Sequence, residues 1–462
     1  MTLAPTTSSS PSGEHEPDLP GVASPAGPPR PDVTVLVPAL EEGAAIDALL
    51  PQLTAIFTRL GVRHEVIIVT EATGSPTAVA AKRYGAKIVP PVRPGYGGAL
   101  STGFDSAGGE FVLTMDADLV DPPEFIEALW RARGEADVTI ASRFSEGGSA
   151  NMGAYRFTLS RALNALFSRG LDVPIRDLSC GFRLYRSTVL REQQFINADF
   201  DVLQQIIVQA FAEGWRVREV PFRYEPTRHG SSHGRVLRVG LACLRTFGRL
   251  WLLRNSILAA DYDDRAHDSR IFLQRYWQRS RHRHVMDLIR GEGAVLDVGC
   301  GSSRIIAGLP DGSVAVDILH RKLRYARKFN RPLVHASGFA LPFADASFPC
   351  VLCSQVIEHV PKESPILDEL CRVLRPGGRL VLGTPDYANW QWVYIEKLYG
   401  LVPGGYKDEH ISHYTNRELV QLMEGRGLRF EEERYILRGE LIQAFRKVTP
   451  AASAPRTNSV AP

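Results

Sequence analysis

Two aspartates stand two residues apart at the end of an apolar run, in "VLTMDADLVDPPEF" (112–125). On a strand, residues i and i+2 project to the same side, so Asp116 and Asp118 present two carboxylates to one space. Hard oxygen donors of that kind suit Mg2+ or Mn2+, and such an ion neutralises a diphosphate as it becomes a leaving group. The same pattern also serves as the entrance to a helix, and Asp121 before Pro122-Pro123 is read as its cap. A second set of residues lies in the other half of the chain. "VLDVGCGSSRI" (295–305) is an apolar run closed by an acid and a glycine turn, which lets a ligand approach the backbone. About 20 residues after Asp297, Asp317 ends the next run, placed to accept hydrogen bonds from ribose hydroxyls. His359, His410 and His413 titrate near neutral pH and are candidates for taking a proton from an acceptor.

Such groups need rigid elements behind them. Short β-branched runs alternate with helical stretches in both halves, which predicts α/β domains with mainly parallel sheets. The strands expected in the first half are 33–38, 65–70, 86–90, 110–116 and 137–143; in the second they are 294–299, 313–317, 350–354 and 379–385. The 462 residues exceed one ordinary core. The expected division is a disordered tail (1–31), a first domain (32–234), a basic amphipathic helix with linker (235–262), a second domain (263–445) and a second tail (446–462). The first tail is rich in Pro, Ser and Gly, without the basic start or apolar stretch of a signal peptide.

A formal charge of +3, from 54 Lys+Arg against 51 Asp+Glu, gives no support to nucleic-acid binding. Six scattered cysteines predict a reducing compartment without disulfides, and Cys350 and Cys353 are read as core residues. No run is long and apolar enough to span a bilayer. Two readings stand for "RVLRVGLACLRTFGRLWLLR" (235–254): a helix lying on a membrane surface, or one packed between domains with its arginines in water.

The order of motifs in the first half resembles family 2 glycosyltransferases, in particular the dolichyl-phosphate (polyprenyl-phosphate) mannosyltransferase-like branch. The segments are "VLVPALEE", "RPGYGGALSTGF", "MDADL", "ASRFSEGG", "DLSCGFRLYR" and "TRHGSSH". The resemblance implies a nucleotide-diphosphate-sugar donor and an inverting displacement at the anomeric carbon, with Mg2+ or Mn2+ held by Asp116 and Asp118. It places Pro38, Glu42, Glu71, Asp116, Asp118 and Arg228 at the donor nucleotide and its phosphates. It places Arg143, Arg156 and Ser160 at an acceptor phosphate. A hydroxyl acceptor would need a base, for which Asp121 is nearest in sequence, and Asp118 is catalytic through the metal; Asp177 is read as fixing a loop. Thr70-Glu71 stands where the family usually has two aspartates, Val120 where a polar ligand is common, and His233 where a lysine is common.

The second half resembles class I S-adenosylmethionine-dependent methyltransferases through "DVGCG", "AVDI", "ALPFADASF", "SQVIEHV", "VLRPGGRLVLGTPD" and "HISHYT". The resemblance implies S-adenosyl-L-methionine as cofactor. Asp297, Gly299, Cys300 and Gly301 would line its amino-acid end, Asp317 and Ile318 its ribose and adenine, Phe339 and Ala340 the adenine edge, and Ser354 and Gln355 the floor. His410 and His413 are the preferred catalytic candidates. The run Gln355-Val-Ile-Glu358-His359 is one acid short of the Glu-x-x-Glu-His metal element of some quinone-type O-methyltransferases, so no metal is expected in this half.

The resulting expectation is a GT-A-type nucleotide-sugar-binding domain followed by a Rossmann-like class I methyltransferase domain. The first would transfer a sugar to polyprenyl phosphate or a related acceptor, and the second a methyl group to an O or N acceptor. The alternative makes the methyltransferase the only working enzyme, with the first domain a nucleotide-sugar or membrane-surface binding module. The expected location is cytoplasmic, with peripheral contact at the inner face of the membrane.

Overall fold

The computed structural model describes residues 30–449, except 40, 73, 118–121, 196–198, 226–235 and 400–409. The first half contributes β1 (Val33–Pro38), β2 (His64–Val69), β3 (Lys87–Val89), β4 (Phe111–Thr114), β5 (Val138–Ser142), β6 (Ser149–Ala150), β7 (Arg183–Arg186), β8 (Val217–Pro221) and β9 (Arg223–Tyr224). Seven of them form one sheet in the order β3-β2-β1-β4-β7-β5-β8, and β6 pairs separately with β9. The second half contributes β10 (Val295–Val298), β11 (Val314–Asp317), β12 (Leu333–His335), β13 (Phe348–Ser354), β14 (Leu374–Pro385), β15 (Leu428–Ile436) and β16 (Glu440–Lys447), in the order β12-β11-β10-β13-β14-β16-β15.

The central strands are continuous apolar runs because both of their faces are covered. Val35 of β1 lies opposite Val66 of β2 on one side and Leu113 of β4 on the other, and residues 33–37 are buried. The helix Gly43–Leu60 buries Ile46, Leu49, Leu50, Leu53, Ile56 and Phe57, a stripe at helical spacing, and ends at Gly61 with φ +64°.

Two features depart from the expected mainly parallel sheets. β7 runs antiparallel to β4 and β5, and β16 antiparallel to β14 and β15. Neither β7 nor β15 has an apolar signature. β7 opens on Arg183, which is fully buried, its Nη1 donating to the carbonyl of Leu203 (2.8 Å) and its Nη2 to that of Leu178 (2.6 Å). β15, "LRFEEERYI", is an edge strand carrying the charges that edges tolerate. β16 runs to Lys447, so ordered structure passes the expected tail boundary at 446.

The segment between the halves is not a loose linker. The helix Val236–Asn255 buries Cys243 and Leu250 in the first core, and its Thr246 Oγ1 donates to Asp201 at 2.6 Å. Its Leu244 and Leu252 are exposed. One face of its described part is thus packed on the first domain, and the other carries exposed leucines. Arg254 at its end is fully buried, bidentate to Asp261 at 2.7 Å twice, and donates to the carbonyls of Leu171 (3.2 Å) and Asp172 (3.1 Å). From the other side, Arg324 lies 3.5 Å over the Trp215 ring, donates to the Glu213 carbonyl (2.8 Å) and pairs with Glu192 (2.9 Å). All six cysteines are buried and free.

Candidate functional site

In the first domain the sheet order places the carboxyl ends of β2, β1 and β4 side by side, where open α/β sheets bind ligands. Pro38 ends β1, Glu71 follows β2, and Asp116 follows β4; Glu71 and Asp116 are exposed there. Glu42 sits half-buried at the start of the helix Gly43–Leu60, its backbone N–H donating to Thr77 Oγ1 at 2.7 Å. Glycine lets the neighbouring helix approach: a Cβ on Gly103 would come within 2.1 Å of Leu36 Cδ1. Asp118, Asp121, Val120, Arg228 and His233 lie outside the described residues.

Arg143, expected on an acceptor phosphate, is already engaged. Its Nε and Nη2 donate to Asp177 at 2.7 and 2.8 Å, and Nη2 reaches Ser179 Oγ at 2.8 Å. Asp177 also accepts from the backbone N–H groups of Arg143, Ser179 and Cys180. Burial alone would raise the Asp177 carboxyl, but Arg143 beside it brings it below the usual range. The loop-fixing reading of Asp177 thus accounts for the fork of Arg143 as well. Arg156 is exposed and Ser160 half-buried, one turn apart on the helix Ala154–Gly170.

The second domain holds a cavity of about 780 Å³. Asp297, Gly299, Cys300, Gly301, Asp317, Ile318, Phe339, Ser354 and Gln355 all line it. Gly299 and Gly301 have φ of +74° and +57°, and a Cβ on Gly299 would lie 2.1 Å from Val356 Cγ2. The N–H of Gly301 donates to Asp317 Oδ2 (2.8 Å) and that of Leu319 to Oδ1 (2.7 Å), which fixes the second acid. Burial, with Asp317 next to it, pushes Asp297 up to about 7. At the floor, Gln355 has φ +62°, and Gln355 Nε2 and Ser354 Oγ have no hydrogen-bond partner among the described residues. Buried polar atoms left this way call for a ligand, and the amino-acid end of S-adenosylmethionine fits them.

Two expected residues fall elsewhere. Ala340 is exposed, its N–H tied to the Ser337 carbonyl (3.2 Å), and Ser337 and Gly338 take its place in the wall. His413 is exposed and stacked on Tyr387 (4.1 Å between centroids), outside the cavity lining. His410 does line the cavity; burial, and after it His359, lowers its pKa, so it is held neutral.

Other wall residues carry no motif. Asp263, read from sequence as the edge of a linker, is held on the glycine turn: Oδ2 accepts from Ser302 N (3.1 Å), Ser302 Oγ (3.0 Å) and Lys322 Nζ (2.8 Å). Trp277, Trp392 and Ile395 form an apolar wall, beside Arg281, Glu396 and His410. Glu358, His359 and His410 bring one potential metal donor each within 4.8 Å of one another. The i, i+3, i+7 spacing of Gln274, Trp277 and Arg281 on one helix was the available signal for that wall.

Residues 34–193 match the family model for glycosyl transferase family 2, and residues 296–382 the model for a methyltransferase domain. An undecaprenyl-phosphate 4-deoxy-4-formamido-L-arabinose transferase of Aeromonas hydrophila subsp. hydrophila is 30% identical over 208 residues, 43% of this chain and 62% of its own. A dolichol-phosphate mannosyltransferase of Pyrococcus furiosus is 27% identical over 211 residues, 43% of this chain and 58% of its own. The chain thus spans about three fifths of the length of these curated relatives. A solved glucosyl-3-phosphoglycerate synthase from Mycobacterium tuberculosis, in complex with Mn2+, uridine-diphosphate and glucosyl-3-phosphoglycerate, is 20% identical; the match covers 48% of this chain and 80% of that one with a TM-score of 0.39. The chain joins a glycosyl transferase family 2 domain to a methyltransferase domain.

Proposed function

We propose that the chain is a bifunctional transferase. Its first domain moves a sugar from a nucleotide-diphosphate donor to a polyprenyl phosphate or related acceptor, and its second moves a methyl group to an oxygen or nitrogen acceptor. The observation that carries the second activity is the single cavity running from the glycine turn and Asp317 to His410 and the tryptophan wall. S-adenosylmethionine, when bound, supplies an electrophilic methyl group on a sulfonium. Asp317 holds the ribose, Gly299 and Gly301 admit the backbone contact, and Ser354 and Gln355 meet the amino-acid end. The apolar wall excludes water and presents the acceptor to the neutral His410.

For the first domain, support comes from the family 2 match, the polyprenyl-phosphate acceptors in the relatives' names, and Pro38, Glu71 and Asp116 gathered at the strand ends. A divalent cation at Asp116 and Asp118 would neutralise the leaving diphosphate, and Arg156 and Ser160 would meet the acceptor. One observation favours a second reading, a donor-binding module without turnover: the Arg143 fork is spent on Asp177. Mass spectrometry of products from polyprenyl phosphate with a panel of nucleotide sugars, with and without S-adenosylmethionine, separates them. A glycosylated lipid lost in Asp118→Asn supports the enzyme; donor binding without product by wild type supports the module. Asp317→Ala is expected to abolish S-adenosylmethionine binding in calorimetry, and retained binding counts against the methyltransferase assignment.

A further inference from the structure

Among the described residues, two glutamates of the second domain are fully buried, Glu358 and Glu440, and the guanidinium of Arg281 is committed to one of them. Arg281 is bidentate to Glu440, with Nε and Nη2 each at 2.6 Å, and Trp277 Nε1 donates to Glu440 as well. Glu358 is left over. Thr384 is the hydroxyl beside it, yet among the described residues neither carboxylate oxygen completes a hydrogen bond of normal geometry. A buried carboxylate that completes no hydrogen bond is costly. Such a group calls for a proton or a cation.

The fold brings two imidazoles to it. His359 follows directly in the 3-10 turn Ile357–His359. His410 arrives from a distant loop, which is pinned in place because the N–H groups of Ile411 (2.8 Å) and Ser412 (3.0 Å) both donate to the Glu358 carbonyl. The three donor atoms lie within 4.8 Å of one another. His410 Nδ1 faces Tyr387 Oη at 2.7 Å and Glu396 Oε1 at 3.1 Å, the outer arrangement by which a ligating imidazole is oriented. His359 and His410 also line the cavity.

We propose that Glu358, His359 and His410 form a divalent-cation site of two imidazoles and one carboxylate in the wall of the methyl-acceptor cavity. The donor set suits a transition metal such as Zn2+ or Mn2+ over Mg2+ or Ca2+, which prefer all-oxygen shells. The site rests on the acceptor reading of that cavity only for its role, which is to orient the acceptor oxygen. It makes His410 a ligand, not a proton acceptor.

The test uses the full chain stripped with a chelator, then titrated with Zn2+ by calorimetry, with retained metal measured by mass spectrometry. Wild type is expected to hold one Zn2+ that survives Asp116→Asn with Asp118→Asn. His410→Ala is expected to weaken it by at least about 100-fold, and Glu396→Gln by roughly 10-fold or more. Should Glu358→Gln fail to fold, His410→Ala, in a half-buried loop, decides the matter. No stoichiometric Zn2+ in wild type, or undiminished binding in His410→Ala, overturns the site and returns His410 to proton transfer. S-adenosylmethionine binding measured in parallel reports on the methyltransferase assignment separately, since either ligand can bind while the other fails.

Discussion

At the residue scale, the buried acids set the chemistry. Asp297 and Asp317 close adjacent strands of one parallel pair, so ionising both in the same dry space is costly. Asp297 is raised from 3.8 to about 7, which means the folded state binds a proton that the unfolded chain has already released. That contribution to stability is complete below the unfolded pKa and disappears as pH climbs through about 7. Thermal melts of the ligand-free protein should therefore fall across about pH 4 to 7, and Asp297→Asn should flatten that part of the profile. An unchanged slope in the variant would place the titration elsewhere. The Asp177–Arg143 pair works in the other direction, because its carboxylate is held ionised by a partner aligned in two parallel bonds.

At the element scale, the turn after β10 is the sharpest constraint. Gly299 combines a left-handed φ with a neighbour, Val356 Cγ2, where a side chain would begin. Gly299→Ala is expected to cost roughly 1–3 kcal/mol in denaturant unfolding, from conformational strain and the clash together. It should also weaken S-adenosylmethionine binding. Adding Val356→Ala should recover part of the stability by removing the clash, while the strain stays. Full recovery would show that packing alone demands the glycine.

At the scale of the whole molecule, the two domains share a wall. The helix Tyr262–His267 leaves the first domain at the buried Arg254–Asp261 pair and lays Asp263 on the cofactor turn of the second. Arg254→Ala leaves Asp261 in the interior with only the looser Arg265 contact at 3.3 Å, with an expected loss of about 3 kcal/mol in denaturant unfolding. Asp263→Ala touches no expected cofactor atom, yet it frees Ser302 and Lys322 beside the turn. It should raise the dissociation constant for S-adenosylmethionine about tenfold while leaving sugar transfer unchanged. Equal affinity in the variant would reduce Asp263 to a packing residue.

The sequence by itself determined what local pattern can carry. Apolar runs such as Val33–Pro38 and Val314–Asp317 are strands wherever they pack, because burial on both faces writes a continuous signature. The glycine turn and the acids at strand ends are likewise local, and Asp297, Gly299, Gly301 and Asp317 line one cavity. Charged strands stayed hidden, since Arg183 finds its carbonyl partners on a helix and in a loop, and Glu431 and Glu432 of β15 pair with Arg379 and Arg446 of other strands. The tertiary structure alone decided that Ala340 and His413 lie outside the cavity lining, that Arg143 is spent on Asp177, and that Asp263 is held on the glycine turn. It also set His410 beside Glu358. Each of these depends on a partner far along the chain, and spacing in sequence carries no information about which distant groups a fold will bring within hydrogen-bond reach.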